Sequence, residues 1–281
     1  MALTEGYQMN NGLTIPKLGF GTFQAQDQEC KQAILWALEA GYRHIDTAQG
    51  YKNEEDVGEA VKESAVPREE IFITTKLDNK EHGYDKTKKA IEESLRKLDT
   101  PYIDLMLIHW PNPIHFRDNW KQANAESWKA MEEAVAIGKI KTLGVSNFLP
   151  HHLDALLETA NIKPAVNQIL LNPSEMQPET VKYNNEHNII NAAYSPLGTG
   201  KIFEIDELSD LAEKYDRSIA QLVLRWSLQH AFLPLPKTVT KERVWENAAI
   251  FDFDIEEVDM QRIDGLAGRA GSAKDPDTVP F

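Results

Sequence analysis

The spacing of apolar and polar positions changes period repeatedly along this chain. Short, nearly continuous apolar runs that end on a polar residue alternate with stretches whose apolar residues recur every three or four positions. The first pattern belongs to strands buried on both faces, the second to helices packed on one side. The opening differs: Asn10, Asn11 and Gly12 interrupt two short extended runs in residues 7–14. Asn and Gly accept positive φ at little cost, so this spacing predicts a β-hairpin, ended by Pro16.

Strands are then predicted at 18–23, 42–46, 71–76, 103–109, 140–147, 165–168, 189–195 and 232–237. Helices are predicted at 28–40, 53–64, 84–98, 124–137, 150–160, 178–187, 206–215, 218–230, 242–251 and 255–266. Gly41 and Gly138 stand where helix ends favour glycine. The Gly- and Pro-bearing tail up to Phe281 reads as coil.

Strands alternating with helices imply a parallel sheet. Eight such units, without a linker, are the content of a closed (β/α)8 barrel of about 250 residues. The expectation is one α/β domain over residues 1–281, a TIM barrel with the hairpin capping its N-terminal mouth. An open doubly wound sheet would want Gly-x-Gly-x-x-Gly after its first strand. Here Gly19-Phe20-Gly21-Thr22-Phe23-Gln24 lacks the third glycine, and no helix is predicted to start there.

Composition narrows the function. The formal net charge of −14 argues against a nucleic-acid or anionic-membrane surface. No apolar stretch nears the ~20 residues of a membrane span, and the start lacks a signal-peptide pattern. Cys30 is the single cysteine, so no internal disulfide is possible, which fits a reducing compartment. Its place in an amphipathic helix reads as structural. A cytoplasmic monomer acting on a small molecule is expected, with no nucleic acid and no membrane.

In a barrel, reactive groups project from the C-terminal strand ends. Those ends read Thr22, Asp46, Lys76, His109, Ser146 with Asn147, Gln168, Tyr194 with Ser195, and Lys237. One polar tip is what any strand leaving a core looks like. Asp46, Lys76 and His109 on successive strands, with Tyr51 five residues beyond Asp46, form a set. A lysine pointing into the mouth needs a counter-charge, which Asp46 supplies. The ammonium would draw the phenol of Tyr51 down toward neutrality, and His109 could donate to a substrate oxygen. The plain alternative is a buried Asp–Lys pair capped by a tyrosine.

The second half suggests a ligand. Ser146, Asn147 and Gln168 suit a carboxamide, and Tyr194 offers a flat ring. Residues 237–243 place cations and hydroxyls where the last strand meets a helix N-terminus, a phosphate site by charge and dipole. The alternative there is a solvated basic turn with Thr240 as the helix cap.

The motifs GFGTF, HIDTAQGYKNEEDVG, IFITTKL, DLMLIHWP, GVSNF, VNQ, AYSPLG and LPKTVTKERVWEN occur in that order over nearly the whole chain. On them the sequence resembles the aldo-keto reductase family, in particular its bacterial 2,5-diketo-gluconate and methylglyoxal reductases. The resemblance implies NADPH-dependent reduction of an aldehyde or ketone to an alcohol. Tyr51 would be the general acid, Lys76 the partner lowering its pKa, Asp46 the counter-ion, and His109 the group that orients the carbonyl. Ser146, Asn147 and Gln168 would hold the nicotinamide carboxamide, with Tyr194 stacked beneath the ring. Thr22, Ser195, Leu197 and Gly198 would meet the pyrophosphate and ribose. Lys237, Thr238 and Arg243 would clamp the 2′-phosphate, with Glu246 and Asn247 at the adenine.

The departures lie in the substrate pocket. Lys76-Leu77-Asp78-Asn79 carries an acid where many relatives carry tryptophan, and Phe23 replaces a tryptophan of some relatives. Trp110 and Phe23 remain as apolar walls, and the short tail implies a small closing loop. Two other readings stand beside this one. A regulatory NADPH sensor could use the same fold. A metal-dependent hydrolase could use His44, Asp46 and His109, though they make only part of a metal site, and no resident metal is expected.

Overall fold

The computed structural model describes Leu3 and residues 5–281. Strands β1 (Gly6–Gln8) and β2 (Thr14–Pro16) pair antiparallel, with Tyr7 opposite Ile15. The hairpin exists, but Pro16 lies within its second strand rather than beyond it. Gly12, at φ +83°, makes the turn.

Eight parallel strands follow: β3 (Phe20–Gly21), β4 (His44–Asp46), β5 (Phe72–Leu77), β6 (Ile103–Ile108), β7 (Ile140–Ser146), β8 (Val166–Leu170), β9 (Ile190–Tyr194) and β10 (Leu233–Pro234). They lie side by side in chain order. The amides of Gly19 and Gly21 donate to the carbonyls of Pro234 and Pro236 at 3.1 and 2.9 Å, so the last strand meets the first. That seam closes the barrel and removes the doubly wound alternative.

The seam also explains why β10 is shorter than the predicted 232–237. Pro234 and Pro236 turn toward β3 and have no N–H to give it, so half of each ladder contact is missing. Gly19 lets the backbones approach: a Cβ there would lie 2.5 Å from Leu235 Cδ2 and 2.6 Å from His44 Nδ1.

The helices are α1 (Asp27–Glu39), α2 (Glu54–Glu63), α3 (Tyr84–Lys97), α4 (Trp120–Ala136), α5 (Pro150–Leu157), α6 (Pro178–Glu186), α7 (Asp206–Lys214), α8 (Ile219–Gln229), α9 (Lys241–Ala248) and α10 (Glu257–Asp264). Helix α4 begins four residues earlier than its period suggests, because a 3-10 segment, Ile114–Asn119, runs straight into it. Gly41, at φ +102°, follows α1 as the glycine cap should, and the Tyr42 amide turns back to Ala37 O at 2.9 Å.

Two apolar layers hold the barrel. Between strands and helices lie residues such as Ile34, Ile45, Ile73, Met106, Trp128 and Phe148. Inside the barrel, Met9 and Ile15 of the hairpin pack with Leu105, Leu107, Val166 and Leu233. Asn11 Nδ2 also donates to Thr142 Oγ1 at 3.0 Å, and Tyr7 OH to Phe232 O at 3.2 Å. The hairpin therefore caps the N-terminal mouth, as its position before the first strand suggested. The opposite mouth is left to polar residues.

Candidate active site

Strand β4 ends on Asp46, and a 3-10 turn at Gln49–Tyr51 lifts Tyr51 beside it. The next strand, β5, contributes Lys76, fully buried at 0% exposure. An ammonium in such a place must direct every hydrogen at a partner. Lys76 Nζ donates to Asp46 Oδ1 at 2.6 Å, to Thr47 O at 2.9 Å and to Tyr51 OH at 3.3 Å. It also lies 4.9 Å from the Tyr51 ring centroid. The second oxygen of Asp46 accepts from Gln168 Nε2 at 2.7 Å, across the barrel mouth. His109 leaves β6 directly after Ile108, and its ring meets Tyr51 edge-on with centroids 5.7 Å apart. The expected four residues thus converge on one point.

Electrostatics modifies the expectation for the phenol. Burial pushes Tyr51 above its usual range, and Asp46 adds to that, while the Lys76 charge and hydrogen bond pull the other way. The net direction is upward, not toward neutrality as the lysine alone suggested. The phenol therefore keeps its proton at neutral pH. Burial works against the charge on Lys76, but Asp46 and Tyr51 outweigh it and hold the ammonium above its usual value. Burial first, then Lys76 and His82, drives His109 down to about 3, so its imidazole is neutral at pH 7.

These groups stand at one end of a cavity of about 1600 Å³. Asp46, Tyr51, His109, Ser146, Asn147, Gln168, Tyr194, Ser195, Leu197, Lys237, Thr238, Arg243, Glu246 and Asn247 line it, with Phe23, Asp78 and Trp110 at the substrate end. Lys76 sits behind the wall. Two expected contacts do not reach the lining. Thr22 is buried with its hydroxyl donating to Asp46 O at 3.0 Å, and Gly198 is buried with its α-carbon facing Ala270.

The polar middle is pre-arranged. Asn147 Nδ2 donates to His109 O at 3.0 Å and to Ser146 Oγ at 3.1 Å, and its Oδ1 accepts from Tyr194 OH at 3.0 Å. Ser146 Oγ donates to Gln168 O at 2.8 Å. What these residues leave for a ligand is mainly acceptor capacity, such as Gln168 Oε1. That suits a carboxamide NH2. Asn147 and Ser195 adopt φ of +60° and +47°, turning the chain off the ends of β7 and β9. Such strained residues collect where a site is built.

At the far end Lys237 and Arg243 make no ion pair among the described residues. Thr240 precedes α9 without capping it by its side chain, so the reading of Thr240 as a side-chain cap is not met. Two unpaired cations beside an uncapped helix N-terminus, in a chain of charge −14, suit a phosphorylated ligand.

Sequence patterns and folds of other proteins agree with this arrangement. The model of the Aldo/keto reductase family matches residues 17–267. The chain belongs to that family. A glyoxal reductase from Bacillus subtilis (strain 168) is 41% identical over 281 residues, 100% of this chain and 99% of that protein. An aldo-keto reductase from a Medee basin deep-sea metagenome library superimposes with a TM-score of 0.93 at 38% identity, covering 98% of this chain and 100% of that one. A Bombyx mori aldo-keto reductase solved in complex with NADP gives 0.84 at 34% identity, covering 96% and 94%.

For this aldo/keto reductase the hydrolase reading loses its metal set. His44 Nε2 bonds Thr74 Oγ1 at 2.8 Å inside the barrel, and both Asp46 oxygens are occupied by Lys76 and Gln168. One His–Asp cluster does occur among the described residues: His151, His152 and Asp277. His152 Nδ1 accepts the Leu149 amide at 3.2 Å, so Nε2 carries the proton it gives to Asp277 at 2.9 Å. That nitrogen is not free to ligate.

Sequence reasoning expected a small closing loop from the tail but named none of its residues. Ser272, Lys274 and Phe281 line the cavity, and the Phe281 ring meets Trp110 edge-on at 5.1 Å. It also missed Phe203, on an irregular 3-10 segment at Gly198–Glu204. Neither segment has a period to read.

Proposed function

We propose that this aldo/keto reductase reduces a small aldehyde or ketone with NADPH, with Tyr51 as the proton donor. The observation that carries the reading is Lys76, sealed beneath the cavity with its hydrogens shared among Asp46, Thr47 O and the Tyr51 phenol. The cavity wall fits the cofactor by chemistry. Lys237 and Arg243 would hold its 2′-phosphate, Gln168 would accept from the carboxamide with Ser146 and Asn147 framing it, and Tyr194 would face the ring. The Bombyx mori relative, solved with NADP, supports the same choice.

When bound, NADPH supplies the hydride that reduces the carbonyl carbon. The chain's own residues handle the oxygen. Neutral His109 and protonated Tyr51 present hydrogen-bond donors to it, and Tyr51 gives up its proton as negative charge develops. Lys76 then faces the phenolate it has been held beside, so the charge is met without rearrangement. Asp46 keeps Lys76 charged and aimed. Apolar Phe23, Trp110 and Phe281 exclude water and accept the substrate's carbon skeleton.

The glyoxal reductase relative favours small α-dicarbonyls as substrates. We take residues 1–281 as one barrel domain, monomeric and cytoplasmic. No helix among the described residues is long and apolar enough to cross a membrane. The test is Tyr51→Phe assayed by NADPH consumption over small aldehydes, α-dicarbonyls, keto-sugars and aldoses. Cofactor affinity should persist while turnover falls by several orders of magnitude. Normal turnover in this variant would assign the proton to another group.

A further inference from the structure

We infer that Asn53 is the positioning residue for Tyr51, closing the segment 47–53 into a ring that holds the phenol against Lys76. The inference rests on the reading of Tyr51 as proton donor.

Asn53 precedes α2, the place where an asparagine normally caps the helix with its own side chain. Here it makes no side-chain cap hydrogen bond. The amide points away from its helix and is 1% exposed. Its Oδ1 accepts from Thr47 Oγ1 at 2.6 Å. Its Nδ2 donates to Thr22 O and to Ala25 O, both at 2.9 Å. One acceptor and two donors are all used. Forgoing the cap leaves the helix start less stabilised, so the side chain's gain must lie in the three segments it joins.

Those segments surround the ion pair. Thr47, whose hydroxyl meets Asn53, gives its carbonyl to Lys76 Nζ at 2.9 Å. Thr22, whose carbonyl meets Asn53, donates its amide and hydroxyl to Asp46 O, each at 3.0 Å. Tyr51 sits mid-way along the ring, and its carbonyl accepts from Gln26 Nε2 at 2.8 Å. Between them Lys52 takes a left-handed φ of +62°. A lysine adopts that conformation only where its surroundings enforce it. Lys52 closes the 3-10 turn from that conformation, its amide on Gln49 O at 3.2 Å, and the Thr47–Asn53 bond ties together the two ends of the segment.

The chemistry of the site is specific for an amide. The Asn53→Asp change would turn two donors into acceptors facing the Thr22 and Ala25 carbonyls. The Asn53→Ala change would leave the Ala25 carbonyl and the Thr47 hydroxyl without that partner in the interior, and would leave Thr22 O with the Ala25 amide alone. In either case Tyr51 is released by fractions of an ångström, and misplacements of about 1 Å can cost about 100-fold in rate.

The experiment compares Asn53→Ala, Asn53→Asp, Thr47→Val and the Asn53→Ala/Thr47→Val double variant, with Tyr51→Phe as reference. Thr47→Val keeps the carbonyl for Lys76 and removes one bond of the ring, so it serves should either Asn53 variant fail to fold. For folded variants, kcat should fall about 10- to 100-fold for Asn53→Ala and less for Thr47→Val. The NADPH dissociation constant should stay within about twofold, and the pH profile of kcat should shift because the Tyr51–Lys76 contact loosens. The double variant should be no worse than Asn53→Ala, because the two residues act through one bond. Unchanged kcat and pH profile in a folded Thr47→Val or Asn53→Ala variant overturns the inference. So does a parallel loss of cofactor affinity and turnover, which marks a general structural role. If Tyr51→Phe itself turns over normally, the reading of the proton donor fails instead, and the two failures are told apart.

Discussion

Replacing Asp46 by asparagine tests the centre of the site without changing its shape. Lys76 keeps Thr47 O and Tyr51 OH but loses its counter-charge among the described residues, the Asp46 oxygen at 2.6 Å. Removing one partner of a buried ion pair costs about 3–5 kcal/mol, because the remaining charge is stranded. That is a large part of the roughly 5–15 kcal/mol available to a typical domain. The new amide also brings an NH2 toward Gln168 Nε2, which in the parent chain donates to Asp46 Oδ2. Gln168 must turn over to accept, withdrawing Oε1 from the cavity. The pH dependence carries the sharper signature. In the parent chain Lys76 is held above its usual value, so its contribution is fully present at pH 7–9 and is lost only as pH rises through that raised value. In the variant burial prevails and the lysine falls below its unfolded value. The unfolded chain then binds more protons, and stability rises with pH by up to about 1.4 kcal/mol per unit. Urea unfolding of both proteins at pH 7, 8 and 9 measures this. The destabilisation should be several kcal/mol at pH 7 and shrink toward pH 9, with turnover impaired throughout. A loss under about 1 kcal/mol, or one that does not vary with pH, would refute the account of Lys76 as a charge held in place by Asp46.

Two further outcomes follow from other parts of the molecule. Lys237→Ala and Arg243→Ala should each weaken NADPH binding about tenfold or more while leaving NADH nearly unaffected, as a fluorescence titration would show. Equal loss for both cofactors would remove the 2′-phosphate from this turn. His44, His82, His109 and His152 are held down to about 3, 4, 3 and 4, chiefly by burial, so the unfolded chain binds more protons and stability is lost as pH falls from about 6.5 toward 4. Glu54 and Asp56, both raised by burial, offset part of this and leave a shallower fall of stability with the same slope direction. Chemical unfolding at pH 7, 6 and 5 should show that slope, and a flat line would mean the histidines are not buried as neutral rings.

How much of this the chain betrays depends on whether a residue's reason is local. Each strand that leaves the core must stop being apolar, so Asp46, Lys76, His109 and Gln168 were legible from where their runs end. The barrel was legible from alternation alone. Other features answer to distant partners. Asn53 reads only as the first residue of a predicted helix, because nothing in sequence shows that Thr22, Ala25 and Thr47 will arrive beside it. The last strand is short because Pro234 and Pro236 face β3 across a seam that exists only after closure. The family resemblance assigns Thr22 to the pyrophosphate and ribose, yet its hydroxyl is consumed by Asp46 O. The phenol's direction was misjudged for a related reason. The lysine is visible in the sequence, but the burial that opposes it is not.

The same strands serve both ends of the barrel with opposite chemistry, and each end makes the other possible. At the hairpin end Leu105 and Leu107 of β6 join Met9 and Ile15 in a dry, close-packed layer. Above that layer Lys76 of β5, whose strand neighbour Leu107 is the layer's upper member, carries a buried charge. A buried ion pair is rarely more stable than apolar residues of the same volume. It persists here only if the apolar layer beneath supplies stability and rigidity in excess. The strand ladder keeps β4 and β5 in register, with Asp46 opposite Thr74 and Ile45 and Ile73 packed in the outer layer, so the 2.6 Å contact forms between strands already fixed in place. Loosening the lower layer, for example by cutting back Ile15, should therefore weaken the Asp46–Lys76 contact before it unfolds the barrel. The site's geometry is in this sense a property of the whole interior.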